Sequence, residues 1–156
     1  MQIKYGPPVV YAEIVIVFFA GAVIMAGIFL GIFNGLNGTQ IGFKTSLGIV
    51  AHAWMPGLIS GLLALLIVCL KDATTVDLQN IVASNAGAFL SSNSPKWMVA
   101  LLGSLDIFSF WFMILLAIGY SAAAPKKLSF GKAFTWIVGV WLVYVLVKVG
   151  LTAAFA

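Results

Sequence analysis

Residues 46–70 read SLGIVAHAWMPGLISGLLALLIVCL, a run of 25 residues that contains no Asp, Glu, Lys or Arg. A helix needs about 20 mainly apolar residues to cross the hydrocarbon core of a bilayer. Three further runs of this kind occupy residues 9–33, 96–123 and 131–155, each with at most two ionisable side chains. The pattern predicts an all-α, polytopic membrane helix bundle with four transmembrane helices.

The composition of the whole chain agrees with this prediction. Apolar residues make up 63% of the 156 residues and charged residues 8%, with a mean hydropathy of +1.15. Soluble domains carry about 25% charged residues. Because so few polar side chains could not cover a soluble surface, lipid must cover most of this one. We therefore interpret residues 1–156 as a single membrane domain.

The longest stretch between the apolar runs, residues 71–95, has a pattern of its own. Its apolar side chains, from Leu78 to Leu90, recur near helical spacing, while polar side chains take the other positions. This predicts an interfacial helix over about 76–91, lying at the membrane surface before the next crossing.

The charges indicate contact with lipid headgroups rather than with nucleic acid. All eight basic residues are lysines, and the formal net charge is only +4. The lipid bilayer is therefore the expected partner, with other membrane protein subunits as a further one. The group Lys126, Lys127 and Lys132 predicts a cytoplasmic loop, so we expect these lysines at the inner face of a bacterial cytoplasmic membrane. This orientation puts Met1 outside and suggests that a membrane segment preceding it is missing.

Two ionisable residues fall inside predicted crossings, where an isolated charge is costly. Asp106 is expected about 15 Å deep in the third helix, and Lys148 about 12 Å from the same face in the fourth. We predict an intramembrane contact between Asp106 and Lys148. Two alternatives are a protonated Asp106 bonded to Ser104 or Ser109, and a proton or ion path through Asp106.

His52 is the only histidine and lies in the second run, close to Pro56. We interpret it as a hydrogen-bonded side chain near the interface, with a haem or chlorophyll-type pigment as the less favoured alternative. With Cys69 as the single cysteine, we expect no metal site and no cofactor. Pro56 lacks an N–H and should kink the second crossing.

Glycines recur at four-residue spacing on two of the predicted helices. Gly27, Gly31 and Gly35 form such a row on the first, and Gly57 and Gly61 on the second. Rows of small residues let helix backbones approach closely in membranes. We predict helix packing within the chain at these positions, and leave open a face for a partner helix.

Several motifs, taken in order, resemble those of a known family. They are FKTSLGIVAHAWMP at 43–56, DLQN at 77–80 with ASN at 83–85, and SLDIFSFW at 104–111. On these motifs the chain resembles a bacterial Yip1-domain protein over about residues 42–156. The resemblance implies five spans after a cytosolic N-terminal segment, so the first family span is expected to be missing. It supplies no catalytic residue, and the GTPase-binding segment of eukaryotic relatives is largely N-terminal.

No catalytic signature is present in the sequence, such as a phosphate-binding loop, an HExxH motif or paired carboxylates on one helix. We therefore predict that the protein is not an enzyme but a Yip1-type membrane protein that organises membrane or binds a partner. One alternative is an accessory subunit of a larger bacterial membrane complex, electron-transfer or photosynthetic. Another is a small transporter or channel that uses Asp106.

Overall fold

The computed structural model describes residues 6–70, 81–91 and 93–155, and for residues 6–15 it describes the backbone alone. Its α-helices are α1 Gly6–Leu30, α2 Phe43–Ala53, α3 Met55–Leu70, α4 Lys96–Leu102, α5 Ile107–Ala123 and α6 Phe130–Ala154. Three described segments are long and apolar enough to cross a membrane: Ile16–Leu36, Phe43–Leu70 and Phe130–Ala154. The predicted all-α membrane fold is confirmed, and α5, with 17 residues, is a shorter apolar helix.

The first crossing ends in a π-helical turn, Gly31–Leu36, followed by a tight loop. The side chain of Asn34 closes this loop. Its Nδ2 donates to the carbonyl of Ile41 at 2.9 Å, and its Oδ1 accepts from the amide of Ile41 at 3.0 Å and from Oγ1 of Thr39 at 2.6 Å. Gly38, with φ of +62°, supplies the left-handed residue that the turn requires.

The second crossing is interrupted at Trp54, two residues before Pro56. Because proline has no N–H, the carbonyl of His52 loses the helical bond that residue 56 would otherwise donate. Beyond the break, the carbonyl of Trp54 accepts from the amides of Gly57 at 2.9 Å and Leu58 at 3.3 Å. Pro56 itself is buried. The ring of Trp54 lies against Phe18 of α1, with 4.3 Å between the ring centroids. The break thus joins α2 and α3 at a contact with the first helix.

The third apolar run is not one helix, which corrects the prediction for residues 96–123. It forms α4, of seven residues, and α5, separated by a turn at 103–106. The amide of Gly103 bonds to the carbonyl of Val99 at 2.8 Å and ends α4. Asp106 then takes an extended conformation and caps α5. The physical reason is that a capping Asp competes with helix continuation and starts a new helix instead.

The predicted interfacial helix over about 76–91 falls partly outside the described residues. From residue 81 onward the chain forms bends, an isolated bridge between Asn85 and Asp106, and a short 3-10 helix at Ala86–Phe89. Backbone bonds tie this segment to the turn after α4, since the amide of Ala86 donates to the carbonyl of Leu105 at 3.1 Å. Pairing with that turn replaces the α-helix in the described part.

Helix α5 lies at the centre of the bundle, in contact with α2, α3 and α6, while α1 packs against α2 and α4 packs against α6. The core is contributed by four helices and the two loops at one end of the bundle. Its fully buried larger side chains include Phe33, Val50, Met113, Leu116, Tyr120, Leu128 and Ile137. Alanines fill the close helix crossings, namely Ala22, Ala26, Ala53, Ala117 and Ala133. Elsewhere the long helices expose large apolar side chains, as lipid-facing surfaces do.

Candidate functional site

A polar cluster surrounds the turn between α4 and α5. Both carboxylate oxygens of Asp106 accept hydrogen bonds there. Oδ1 accepts from the amide of Phe108 at 2.7 Å, and Oδ2 accepts from the hydroxyl of Ser84 at 3.0 Å. The first bond is a helix cap, and the second holds the 81–91 segment against α5. Asp106 thus fastens two backbone segments.

Lys148 of α6 reaches the same turn by a different contact. Its Nζ donates to Oγ of Ser104 at 3.1 Å, and Ser104 in turn donates to the carbonyl of Ala100 at 2.7 Å. Lys148 therefore contacts a residue that precedes Asp106 by only two positions in the sequence. The hydrogen bonds described for Asp106 and Lys148 go to other groups of the same turn, and a direct contact between these two side chains stays a prediction.

His52 is exposed and lies on α2, nine residues after Phe43, or about 13 Å along the helix. Its Nδ1 lies 2.7 Å from the carbonyl of Gly48 and must donate to it, which leaves Nε2 as an acceptor in the neutral ring. The ring borders a cavity of about 390 Å³ between α2 and α5, with Thr45 and Gly119 on its walls. The described residues that line this cavity include no second histidine and no cysteine or carboxylate, and a pigment on His52 stays the less favoured alternative.

No group of three or more His, Cys, Asp or Glu side chains lies together in the parts of the chain that the structure describes. Cys69 is a free, exposed thiol near the end of α3.

A buried hydroxyl network joins three helices, and the sequence interpretation missed it. Oγ of Ser46 donates to the carbonyl of Ala26 at 2.8 Å, so the hydroxyl of Tyr120 donates to Ser46 at 2.6 Å. Both side chains are fully buried. The sequence does carry a signal for this network, which is a serine inside an apolar run. A hydroxyl buried there needs a hydrogen-bond partner on a neighbouring helix.

A family model for the Yip1 domain matches residues 5–151. This range covers α1 to α5 and all but the last three residues of α6. The chain belongs to the Yip1 family. The match also includes α1, which the motif resemblance over 42–156 left out. No curated protein and no solved structure matches the chain.

The five glycines of the predicted rows are exposed in this Yip1 domain, and Gly57 also borders a groove lined by Trp54 and Phe112. Among the described residues, a Cβ built on any of the five meets no atom within 4 Å outside its own helix backbone, and packing within the chain at these positions stays a prediction. The close approach instead occurs at Gly119, where a Cβ would lie 2.5 Å from Cγ2 of Ile49. The periodicity was real, but lipid and core are both apolar, so hydropathy does not say which face turns inward.

A second cavity of the Yip1 domain, of about 380 Å³, lies between α1, α5 and α6. Its walls are almost entirely apolar and aromatic, including Phe29, Phe112 and Trp141. The polar side chains on its lining are Ser109 and Tyr144. Such a cavity suits an apolar chain and offers little for polar chemistry.

Proposed function

We propose that this Yip1-family membrane protein acts without catalysis of its own, by binding a membrane partner or organising membrane. The observation that carries the proposal is that the polar side chains inside the bundle form hydrogen bonds with other groups of the chain. Asp106 caps a helix, Lys148 bonds to Ser104, and Ser46 and Tyr120 bond to each other. Each of these groups is engaged in a hydrogen bond within the chain, while the long helices turn apolar side chains outward.

The exposed glycine row on the first crossing supports a partner face. Gly27, Gly31 and Gly35 have open space beside them, so a second helix could approach the backbone of α1 and its π-helical turn closely. This favours contact with another membrane-embedded helix. An accessory subunit of a larger complex would use such a face with fixed stoichiometry.

The experiment that tests partner binding is crosslinking in native membranes. Gly31→Cys, in a Cys69→Ser background, should give one adduct of defined mass with a membrane-permeable thiol crosslinker. Leu62→Cys is the matched control, because Leu62 of α3 is 67% exposed and lies outside the row. Equal adducts from both positions, or none from either, would contradict the proposal.

A second arm measures copurification in mild detergent. Gly31→Leu should reduce the yield of the copurified component, because the larger side chain fills the open face. Its unfolding temperature should stay near that of the unaltered protein, since no described residue outside the backbone of its own helix lies within 4 Å of a Cβ added at this position. Purification at constant subunit ratio would favour the accessory-subunit form of the proposal over membrane organisation.

For localisation we propose the bacterial cytoplasmic membrane, with Lys126, Lys127 and Lys132 on the inner side. The three lysines lie together at the turn between α5 and α6 and are all exposed. A Ser121→Cys variant near this turn, in the Cys69→Ser background, should react with a membrane-impermeant maleimide only after the membrane is opened. Labelling in intact cells would show that this turn lies outside the cell and would contradict the proposed orientation.

A further inference from the structure

Four lysines gather at one end of the bundle, where α1 and α5 end and α2 and α6 begin. They are Lys44, Lys126, Lys127 and Lys132. The Nζ of Lys127 donates to the carbonyl of Gly38 and so joins the two loops. The segments that form this end, residues 31–49 and 116–136, contain no Asp or Glu. The end therefore carries an uncompensated positive charge.

The cavity between α1, α5 and α6 lies below this end, within the depth of the bilayer. On α6 its lining runs from Ile137 to Tyr144, which are seven and fourteen residues after Phe130. At 1.5 Å per residue, the cavity spans depths of about 10 to 21 Å from the lysine end. A phospholipid places its phosphate at the interface and its acyl chains at these depths.

We propose that the protein binds an anionic phospholipid, with its phosphate at Lys126 and Lys132 and one acyl chain in this cavity. The charge complementarity selects the headgroup, and the apolar lining accepts the chain.

The test uses the full chain, purified in mild detergent, stripped of lipid and titrated with phosphatidylglycerol or phosphatidylcholine of equal chain length. Native mass spectrometry measures the fraction of lipid-bound protein. We expect phosphatidylglycerol to bind about fivefold to thirtyfold more tightly, as two lysines near an anionic group imply. Inorganic phosphate and glycerol phosphate should not displace it, because neither carries an acyl chain.

Two variants separate the two halves of the site. Lys126→Gln with Lys132→Gln should remove the preference for phosphatidylglycerol and leave phosphatidylcholine binding unchanged; Lys127 is kept because it holds the loops together. Val140→Phe should weaken both lipids, because Val140 lines the cavity.

The matched controls are Lys96→Gln, at the start of α4, and Val143→Phe, whose side chain is 62% exposed outside the cavity lining. Both should bind lipid as the unaltered protein does. Equal affinity for the two lipids, displacement by free phosphate, or an effect of only one of the two site variants would overturn the proposal. The proposal does not require a protein partner, so it can fail independently of the crosslinking experiment.

Discussion

The hydroxyl of Tyr120, on α5, donates to Oγ of Ser46, on α2, across 2.6 Å in the fully buried core. Ser46 passes the bond on to the carbonyl of Ala26 on α1. One pair of side chains thereby links three helices of the bundle. In hydrocarbon surroundings such hydrogen bonds help to fix which helix faces meet, because apolar contacts alone do not distinguish one face from another.

The two ends of this pair should respond differently to mutation. Ser46→Ala leaves the Tyr120 hydroxyl buried without its partner and should lower the free energy of unfolding by about 1–3 kcal/mol. Tyr120→Phe leaves Ser46 bonded to Ala26 and should cost about 0.6–1.7 kcal/mol, the usual range for hydrogen bonds between membrane helices. Reversible unfolding in mixed micelles, followed by circular dichroism, measures both. A larger loss for Tyr120→Phe than for Ser46→Ala would contradict the network.

Gly119 should tolerate no side chain, whereas Gly27 should accept one. A Cβ at Gly119 would lie 2.5 Å from Cγ2 of Ile49, and a β-branched side chain has little freedom to move aside. We expect Gly119→Ala to destabilise the bundle by about 1–3 kcal/mol. Gly27→Ala should be neutral or stabilise it by up to about 1 kcal/mol, since a helical glycine is replaced in open space.

The rescue variant makes this prediction specific. Ile49→Ala removes the clashing methyl groups, so the double variant with Gly119→Ala should lose less stability than the sum of the two single variants. Thermal unfolding in detergent gives all four values of the cycle. Additive losses would show that α2 and α5 do not meet at this point.

Apolar run length predicted the membrane helices of this chain because it depends only on the sum of many side chains. The break at Pro56 follows from the missing N–H of one residue and is equally local. The break at 103–106 has a local signal too, an Asp directly before the apolar run of α5, and it was missed. We predicted that Asp106 lies inside a helix, although an Asp directly before an apolar run is equally typical of a helix N-cap.

The sequence pattern does not predict which face of each membrane helix turns towards the core. Glycine and alanine both recur at four-residue spacing on the first crossing, yet Ala22 and Ala26 are buried while Gly27 and Gly31 are exposed. In a soluble helix the polar face would have settled the question. In a membrane helix both faces are apolar, and only the contacts with neighbouring helices decide it.

The capping role of Asp106 predicts a graded response. Asp106→Ala removes the acceptor for the amide of Phe108 and should cost about 0.5–2 kcal/mol. Asp106→Asn keeps an acceptor oxygen of the same shape and should cost much less, because Asn caps helices as well as Asp does. Equilibrium unfolding of both variants decides between a cap and a required charge. A loss for Asn equal to that for Ala would support an ion pair or an ion path instead.

Asn34 should control the loop between α1 and α2, because its one side chain supplies the bonds to both backbone groups of Ile41. In Asn34→Ala the Ile41 amide loses its acceptor, whereas the Thr39 amide keeps its bond to the carbonyl of Phe33 at 3.1 Å. Hydrogen exchange should therefore speed up about fivefold to a hundredfold at Ile41, as losing about 1–3 kcal/mol of protection implies, and change less at Thr39. Asn34→Asp is the intermediate case: its carboxylate still accepts from Ile41 and Thr39 but cannot donate to the Ile41 carbonyl. If exchange rises equally at both amides in Asn34→Ala, the whole loop has opened and the side chain is not the specific clasp.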